Sequence, residues 1–457
     1  MPAPDSSPRR IAVIGSGVAG LVAAHVLARE SHVVLLEADS RLGGHADTHE
    51  VDLGDRVVHV DTGFIVHNDR TYPTLLRLFA ELGVATQDSD MSMSVRNDEA
   101  HLEYAGARRA KGLFPTARNM VNPSYLRMLL EVKKFHREAS KVLAQPEVTN
   151  DADETLGDFA LRVGFTGYFR TNFLEPVVAA VWSCDPAVSL LYPARYLFSF
   201  LDHHGMLTVY GSPTWRTVVG GSARYVEKVA SGVDEIRTSS PVTSVRETPD
   251  GVVLETATGS ITVDAVVIAT HPAAALGMLA QPTGDQHDVL TAMPYSANVA
   301  QLHTDESVLP RSPGARASWN YLRRPAGTES GRVLVSYDMT RLQRLDETGP
   351  MVTDRRFIVT LGGQDLVDPS TVIDTMHYEH PLYTPESIAA QRRLPTINTT
   401  RIAFAGAYHG WGFHEDGALS GLTAAMHLGG SWDRPRTRVA DPVADDGMRD
   451  ELAPAPA

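Results

Sequence analysis

The residue types best able to do chemistry stand near the two ends of the chain. Gly15, Gly17 and Gly20 form GxGxxG, with Ser16, Val18 and Ala19 in its variable places. Glycines at this spacing let a backbone turn tightly and approach a diphosphate, and a helix starting there turns its N-terminus toward the charge. Glu37 follows at about the 20-residue interval where an acid can accept hydrogen bonds from ribose hydroxyls, and Ala38 stands beside it. Toward the other end, Trp411, Phe413, His414, Glu415 and Asp416 precede Gly417 and Ala418 in GWGFHEDGALSG. His414 is a candidate proton donor or acceptor and Trp411 a candidate substrate wall in a catalytic site. His414 and Glu415 could relay a proton, and Glu415 and Asp416, both candidate cofactor-site residues, could equally cap the following helix.

The elements that must position these groups are legible around the glycines. Arg10–Ile14 (RIAVI) reads as a short buried strand, Leu21–Glu30 as a helix, and Val33–Glu37 as a second strand, a βαβ opening. An accidental glycine turn would lack the strand, helix and acid together. From about Pro123 to Met206 the pattern is almost wholly helical, with Leu126, Leu129, Leu130 and Lys133 stepping around one helix and Tyr192, Tyr196 and Phe200 around another. Strand patterns return at Val242–Val245, Gly251–Thr256 and Ser260–Thr270, then at Ser296–His303, Arg316–Tyr321, Val333–Asp338, Phe357–Leu361 and Arg401–Ala405. This alternation predicts one domain from residues 10–85, 215–275 and 395–432, interleaved with a second from 86–214 and 276–394. The ends, 1–9 and 433–457, are rich in Pro, Asp, Ala and Arg and are expected to be disordered tails.

Composition narrows the function classes. The 457 residues exceed the size at which one core keeps growing, and 43% apolar with 21% charged residues is ordinary for a globular chain. A net charge of −14 supplies no global positive field, so nucleic acid is not an expected partner, although a local basic patch is left open. The single Cys184 permits no internal disulfide, and the start (MPAPDSSPRR) lacks a secretory apolar run, so a cytoplasmic location is expected. No apolar run approaches the roughly 20 residues of a membrane span, which leaves peripheral contact as the expected limit. His203 and His204 are adjacent and unaccompanied by ligands at metal spacing, so no metal site is expected.

NAD and FAD share the glycine unit, and the following segments separate them. EADSRLGG (Glu37, Arg41, Gly43, Gly44), VDTGF (Thr62, Gly63, Phe64) and FAGAYHGWGFHEDGALSGLTAA resemble three flavin-contacting segments of the flavin amine oxidase superfamily. AAVWSCDP, FLDHHGML, PTWRTVVGGSARYVE, ASWNYL and GFHEDGALSG, in that order, resemble more narrowly the bacterial FAD-dependent oxidoreductases associated with cyclopropane fatty acid synthases. The implied fold is α/β: a Rossmann-like FAD-binding domain of the amine oxidase type with an interleaved α+β substrate domain containing a large helical insert. The implied cofactor is noncovalent FAD, since no cysteine lies near the C-terminal flavin motif.

The resemblance implies a set of contacts. Gly15 to Gly20 would hold the pyrophosphate and Glu37 the adenosine ribose. Gly43, Gly44 and His45 would wrap the phosphate and ribityl side, with Arg41 meeting phosphate charge. Thr62, Gly63 and Phe64 would line the ring, Val242 would pair with adenine through its backbone, Gly406 would lead into the pyrophosphate loop, and Thr270 would belong to the cofactor site. Gly417 and Ala418 would present helix N-terminal amides to flavin N1 and O2. Asp39 and His45 stand where amine oxidases commonly carry arginines, and no lysine stands near Asn298, where many of them place one. The resulting expectation is hydride removal from an apolar small molecule or lipid, an unsaturated or cyclopropane fatty acyl chain. A cyclopropane fatty acid synthase is an expected partner. Alternatives are an amine oxidase and a lipid-binding module without redox work, for which the fold of Rab GDP-dissociation inhibitors is the precedent. Phe169, Phe173, Trp182, Tyr192, Tyr196 and Phe200 of the insert, with segments after Pro294, are expected to wall an apolar pocket, although each ring alone could serve the insert's own core.

Overall fold

The computed structural model describes residues 8–145, 154–182, 189–207, 213–325, 334–347 and 353–434, so Cys184 and most of both expected tails lie outside the described residues. A five-stranded sheet orders the strands Glu235–Arg237, His32–Leu36, Arg10–Ile14, Ala265–Ile268 and Ile402–Phe404, every neighbouring pair parallel. Its strands are short apolar runs because both faces are covered. Helix Val18–Leu27, buried at all ten positions, packs on one face together with helix His414–His427 from the other end of the chain. The first helix starts three residues before the expected Leu21, inside the glycine motif, because Gly17 is its N-cap. Small residues there hide the helical period from a hydrophobicity reading.

On the opposite face lie a three-stranded antiparallel sheet, Val242–Thr248, Gly251–Thr256 and Gly259–Val263, and the helices Pro272–Met278, Gly284–Thr291 and Pro385–Gln391. Met278, Leu279, Val289, Leu290, Ala390 and Leu394 join Ile14, Val34, Ile268 and Phe404 in one core. This corrects the expected boundary at 276: residues 276–293 are apolar toward the parallel sheet and belong with it by packing. The second unit's broad sheet then starts at Tyr295. It orders Val372–Pro381, Tyr295–His303, Ile358–Leu361, Val335–Asp338, Trp319–Arg323, Met93–Asn97 and Leu102–Ala105. Only the pairing of Trp319–Arg323 with Met93–Asn97, which joins the unit's two chain segments, is parallel. The strand Val372–Pro381 escapes the hydrophobic pattern because it is a sheet edge with most of its first residues exposed.

The helical insert covers part of this sheet. Its longest helix, Pro123–Leu143, buries Tyr125, Met128, Phe135 and Ala139, and leaves Leu126 and Leu130 exposed. The expected stripe through Leu126, Leu129 and Leu130 is thus offset from the face that packs. The reason is Phe135, whose ring lies between 5.5 and 6.3 Å from those of Phe159, Phe165, Phe169, Phe173 and Phe198 and sets which side faces inward. Phe135→Ala should therefore cost about 3–5 kcal/mol in a denaturant titration, and Leu130→Ala no more than about 0.5 kcal/mol. Equal losses would mean the helix face has been misassigned.

Candidate active site

The strand Arg10–Ile14 ends in a turn whose glycines divide the work. Gly15 has φ +96°, and its N–H donates to the Leu36 carbonyl at 2.8 Å. A Cβ at Gly20 would lie 1.9 Å from the Gly15 carbonyl oxygen, whereas a Cβ at Gly17 would meet nothing within 4 Å. Gly20 closes the turn, and Gly17 leaves the helix N-terminus open to a diphosphate. Glu37 fastens the same turn: its Oε2 accepts from the Ser16 N–H at 2.8 Å and the Ser16 hydroxyl at 2.6 Å, and Oε1 accepts from the Asp39 N–H at 2.9 Å. A carboxylate keeps further lone pairs for ribose hydroxyls, and Glu37 also borders the cavity.

The next loop serves mostly itself. Arg41 donates to the Gly44 carbonyl at 2.9 Å and pairs with Asp47 at 3.0 Å, so its guanidinium closes the loop and does not reach the cavity walls. Gly43, at φ +114°, donates to the Ser16 hydroxyl, and a Cβ there would lie 2.4 Å from the Ala46 carbonyl oxygen. Ala38 is exposed, and Gly43, Ala38 and Val242 are all absent from the walls. Val242 instead opens a strand opposite Thr256, beside a bulge. Gly44, His45, Thr62, Gly63, Phe64, Thr270 and Gly406 do line the cavity with Gly15 to Ala19. Thr62 shares a 2.7 Å hydrogen bond with the Tyr378 hydroxyl, which donates to Asp47 at 2.8 Å.

At the C-terminal motif the structure redistributes the expected tasks. His414 lines the cavity, stacks on Phe64 with centroids 3.7 Å apart, and shares a 2.9 Å hydrogen bond with the Tyr225 hydroxyl. Burial, with His45 and His67 nearby, holds its pKa well below the usual range, so it is a neutral imidazole at physiological pH. Glu415 turns away and accepts from the Thr74 and Leu75 N–H groups at 2.9 and 3.0 Å, capping the helix Pro73–Leu82. Asp416 caps its own helix by accepting from the Phe413 N–H at 2.8 Å. The Gly417 N–H is committed to the Phe413 carbonyl, and a Cβ there would meet Val18, so Gly417 and Ala418 pack the helix start against helix Val18–Leu27. Trp411 is also outside the walls: its carbonyl accepts from the Trp182 indole, and its ring lies 5.1 Å from that of His203. Phe413 takes the lining position expected of Trp411.

These segments bound one cavity of about 670 Å³, whose far walls are Met91, Ala180, Val181, Trp182, Phe200, Met206, Trp215, Trp319, Tyr337, Val359 and Leu361. Trp182 and Phe200 of the insert reach it, while Phe169, Phe173, Tyr192 and Tyr196 join the insert's core. His271, Tyr378, Glu379 and His380 also line it, and sequence reasoning missed them. The alternation of ring-bearing residues in HYEHP was the available signal. Burial, aided by His271, pushes His380 down to about 4, and burial with His380, His271 and Arg41 pushes His45 down to about 3. The Asn298 amide lies 2.9 Å from His380 Nδ1. Among the described residues no Lys or Arg lines the walls, and the carboxylates that do are Glu37 and Glu379. An open glycine turn, a ribose-side acid and described walls free of Lys and Arg fit a dinucleotide with a redox-active ring.

A family model described as flavin-containing amine oxidoreductase matches residues 18–428. The chain belongs to that family. Its cofactor is FAD, held noncovalently. The chain is 27% identical over 276 residues to the putative flavin-containing monoamine oxidase AofH of Mycobacterium tuberculosis, covering 58% of this chain and 57% of that protein. It is 28% identical over 224 residues to the flavin-dependent L-tryptophan oxidase RebO of Lentzea aerocolonigenes, with 48% and 44% covered. The chain thus spans about half the length of these curated relatives. Among solved structures, cyclohexylamine oxidase from Brevibacterium oxydans superposes with a TM-score of 0.67 at 18% identity, covering 92% of this chain and 99% of that one. The CLA-producing fatty acid isomerase from P. acnes gives 0.65 at 15% identity, covering 90% and 97%. At such identities the likeness is one of fold.

Two pairs of measurements check the site. Gly17→Ala should keep stability within about 1 kcal/mol yet lose FAD on gel filtration, whereas Gly20→Ala should destabilise the apoprotein by about 1–3 kcal/mol or more. If Gly17→Ala holds FAD as tightly as the parent, the turn is not the phosphate cradle. Burial pushes the Asp416 carboxyl up to about 7 from 3.8, the Phe413 and Trp411 amides offsetting part of the rise. Between those values the unfolded chain is ionised while the folded one keeps the proton, so Asp416 lowers stability as pH rises through that window and adds no slope above it. Asp416→Asn should remove this decline in urea titrations, and a parent-minus-variant difference that stays flat from pH 4 to 8 would refute the assignment.

Proposed function

We propose that the chain removes hydride from an apolar, chain-shaped substrate, an unsaturated or cyclopropane-containing fatty acyl group being the substrate class. The observation that carries this reading is the cavity's lining, in which Trp215 and Trp319 stand with Val181, Trp182, Phe200 and Met206 of the insert and no Lys or Arg is found among the described lining residues. FAD supplies the hydride acceptor when bound, so no nucleophile or metal is required of the protein. The chain's own residues orient and exclude water. Apolar walls from two units position the substrate, Phe64 and His414 form a flat stacked pair at the cavity's edge, and the neutral histidines put no positive charge beside the acyl chain. The fatty acid isomerase of the same fold lends this reading support, as the work of a neighbour.

Amine oxidation is the second reading, supported by the family's description and by relatives whose names specify amines. Against it, the position where many amine oxidases place a flavin-side lysine falls in the strand Tyr295–His303, where Asn298 pairs with His380 instead. Titrating the yellow holoenzyme with fatty acids of increasing length should perturb the flavin spectrum with midpoints tightening about fifteenfold per two methylenes, following about 0.8 kcal/mol per buried CH₂. No response at any length, with anaerobic bleaching by primary amines, would put the amine reading in front. Acid precipitation should release all the flavin as free FAD.

A further inference from the structure

The surface of the helical insert carries a feature that the cavity does not use. Between Gly106 and Lys141 stand nine Arg and Lys against two acids, Glu131 and Glu138, so this stretch is +7 in a chain of −14, and it holds four of the chain's five lysines. Glu131 is buried, accepts from the Thr166 N–H and hydroxyl, and pairs with Arg127 at 3.6 Å, while Glu138 pairs with Arg137 and Lys141. Arg109, Lys111, Arg118 and Lys133 are exposed and have no ion-pair partner among the described residues.

Large apolar side chains stand in the same place. Met120 is 59% and Val121 78% exposed at the end of the helix Ala117–Val121, and Leu126 (39%) and Leu130 (68%) follow one turn apart on the outer stripe of Pro123–Leu143. That stripe continues through Lys133, Arg137 and Lys141, spaced three and four residues apart on one helical face. The result is an aliphatic tip bordered by Arg118, Arg127 and Lys133. Burying such side chains in solvent-free surroundings is favourable, yet they stay exposed among the described residues.

We propose that this face docks on an anionic lipid bilayer, with Met120, Val121, Leu126 and Leu130 entering the interface and the surrounding cations meeting lipid phosphates. Charge decides the occupant: a second copy of this chain would set +7 against +7, and a nucleic acid would leave four aliphatic side chains without a partner. The rest of the molecule is strongly acidic, so the charge separation also orients it, insert first, toward a negative surface. No helix among the described residues is long and apolar enough to cross a membrane, so the contact is peripheral. The surface stands whatever the substrate is. If the acyl-chain reading holds as well, the docked insert is the unit that brings Ala180, Val181, Trp182, Phe200 and Met206 to the cavity.

The test uses the full-length FAD-loaded protein and vesicles of phosphatidylcholine with or without one-third phosphatidylglycerol, followed by co-sedimentation at low and high salt. Binding should require phosphatidylglycerol, weaken with salt, and fall at least about tenfold in Val121→Asp/Leu130→Asp and in Arg118→Glu/Lys133→Glu. Flavin absorbance and melting temperature should be unchanged in both variants, which separates this result from any loss at the active site. Absence of binding to the anionic vesicles at low salt would overturn the proposal. So would binding that both variants retain, a shift of duplex DNA in place of vesicle binding, or a dimer that Val121→Asp/Leu130→Asp dissociates.

Discussion

Two helices from opposite ends of the chain meet at backbone distance, and the site depends on that contact. A Cβ at Gly421 would lie 2.1 Å from the Ala19 carbonyl oxygen, so no larger residue lets His414–His427 settle on Val18–Leu27. The approach carries Gly406, Phe413 and His414 onto the wall that Gly15 to Ala19 begin. It also explains why acids that look chemical serve geometry. Glu415 ties the C-terminal helix to the N-terminus of Pro73–Leu82, and Asp416 closes the helix's own first turn. Both are raised by burial, as expected of carboxyls held for their hydrogen bonds in a dry interior.

The cavity is electrically quiet. His45, His380 and His414 are all depressed by burial, and nearby histidines add to the effect: His380 and His271 on His45, His271 on His380, and His45 and His67 on His414. Neutral rings beside apolar walls suit chemistry in which the cofactor carries the electrons and the protein excludes water. Thr62, Tyr378 and Asp47 form a hydrogen-bonded row that joins the Thr62 segment to the broad sheet's edge strand. This row couples the two units at the place where the nucleotide end of the cavity gives way to the apolar chamber.

What the sequence by itself determined is the nucleotide unit. A βαβ opening, three glycines and an acid at fixed intervals encode local geometry, because each depends on neighbours a few residues away along the chain. The placing of Gly15 to Ala19 and Glu37 at the cavity was readable in this way, whereas Thr62 to Phe64 and Gly406 came from the family resemblance of their segments. Only the tertiary structure decided direction. Arg41, Glu415 and Asp416 have the chemistry of ligands, but their hydrogen-bond partners come from loop closure and helix caps that no spacing rule specifies. Trp411 and Phe413 are two residues apart in sequence, and packing against Trp182 and Phe200 chose which ring faces the cavity. The edge strand with Tyr378, Glu379 and His380 stayed hidden because half-exposed edges carry little hydrophobic period, and its meeting with His45 joins residues more than three hundred positions apart. Burial at that distance in sequence is a property of the assembled fold, and the pKa of each histidine follows from it.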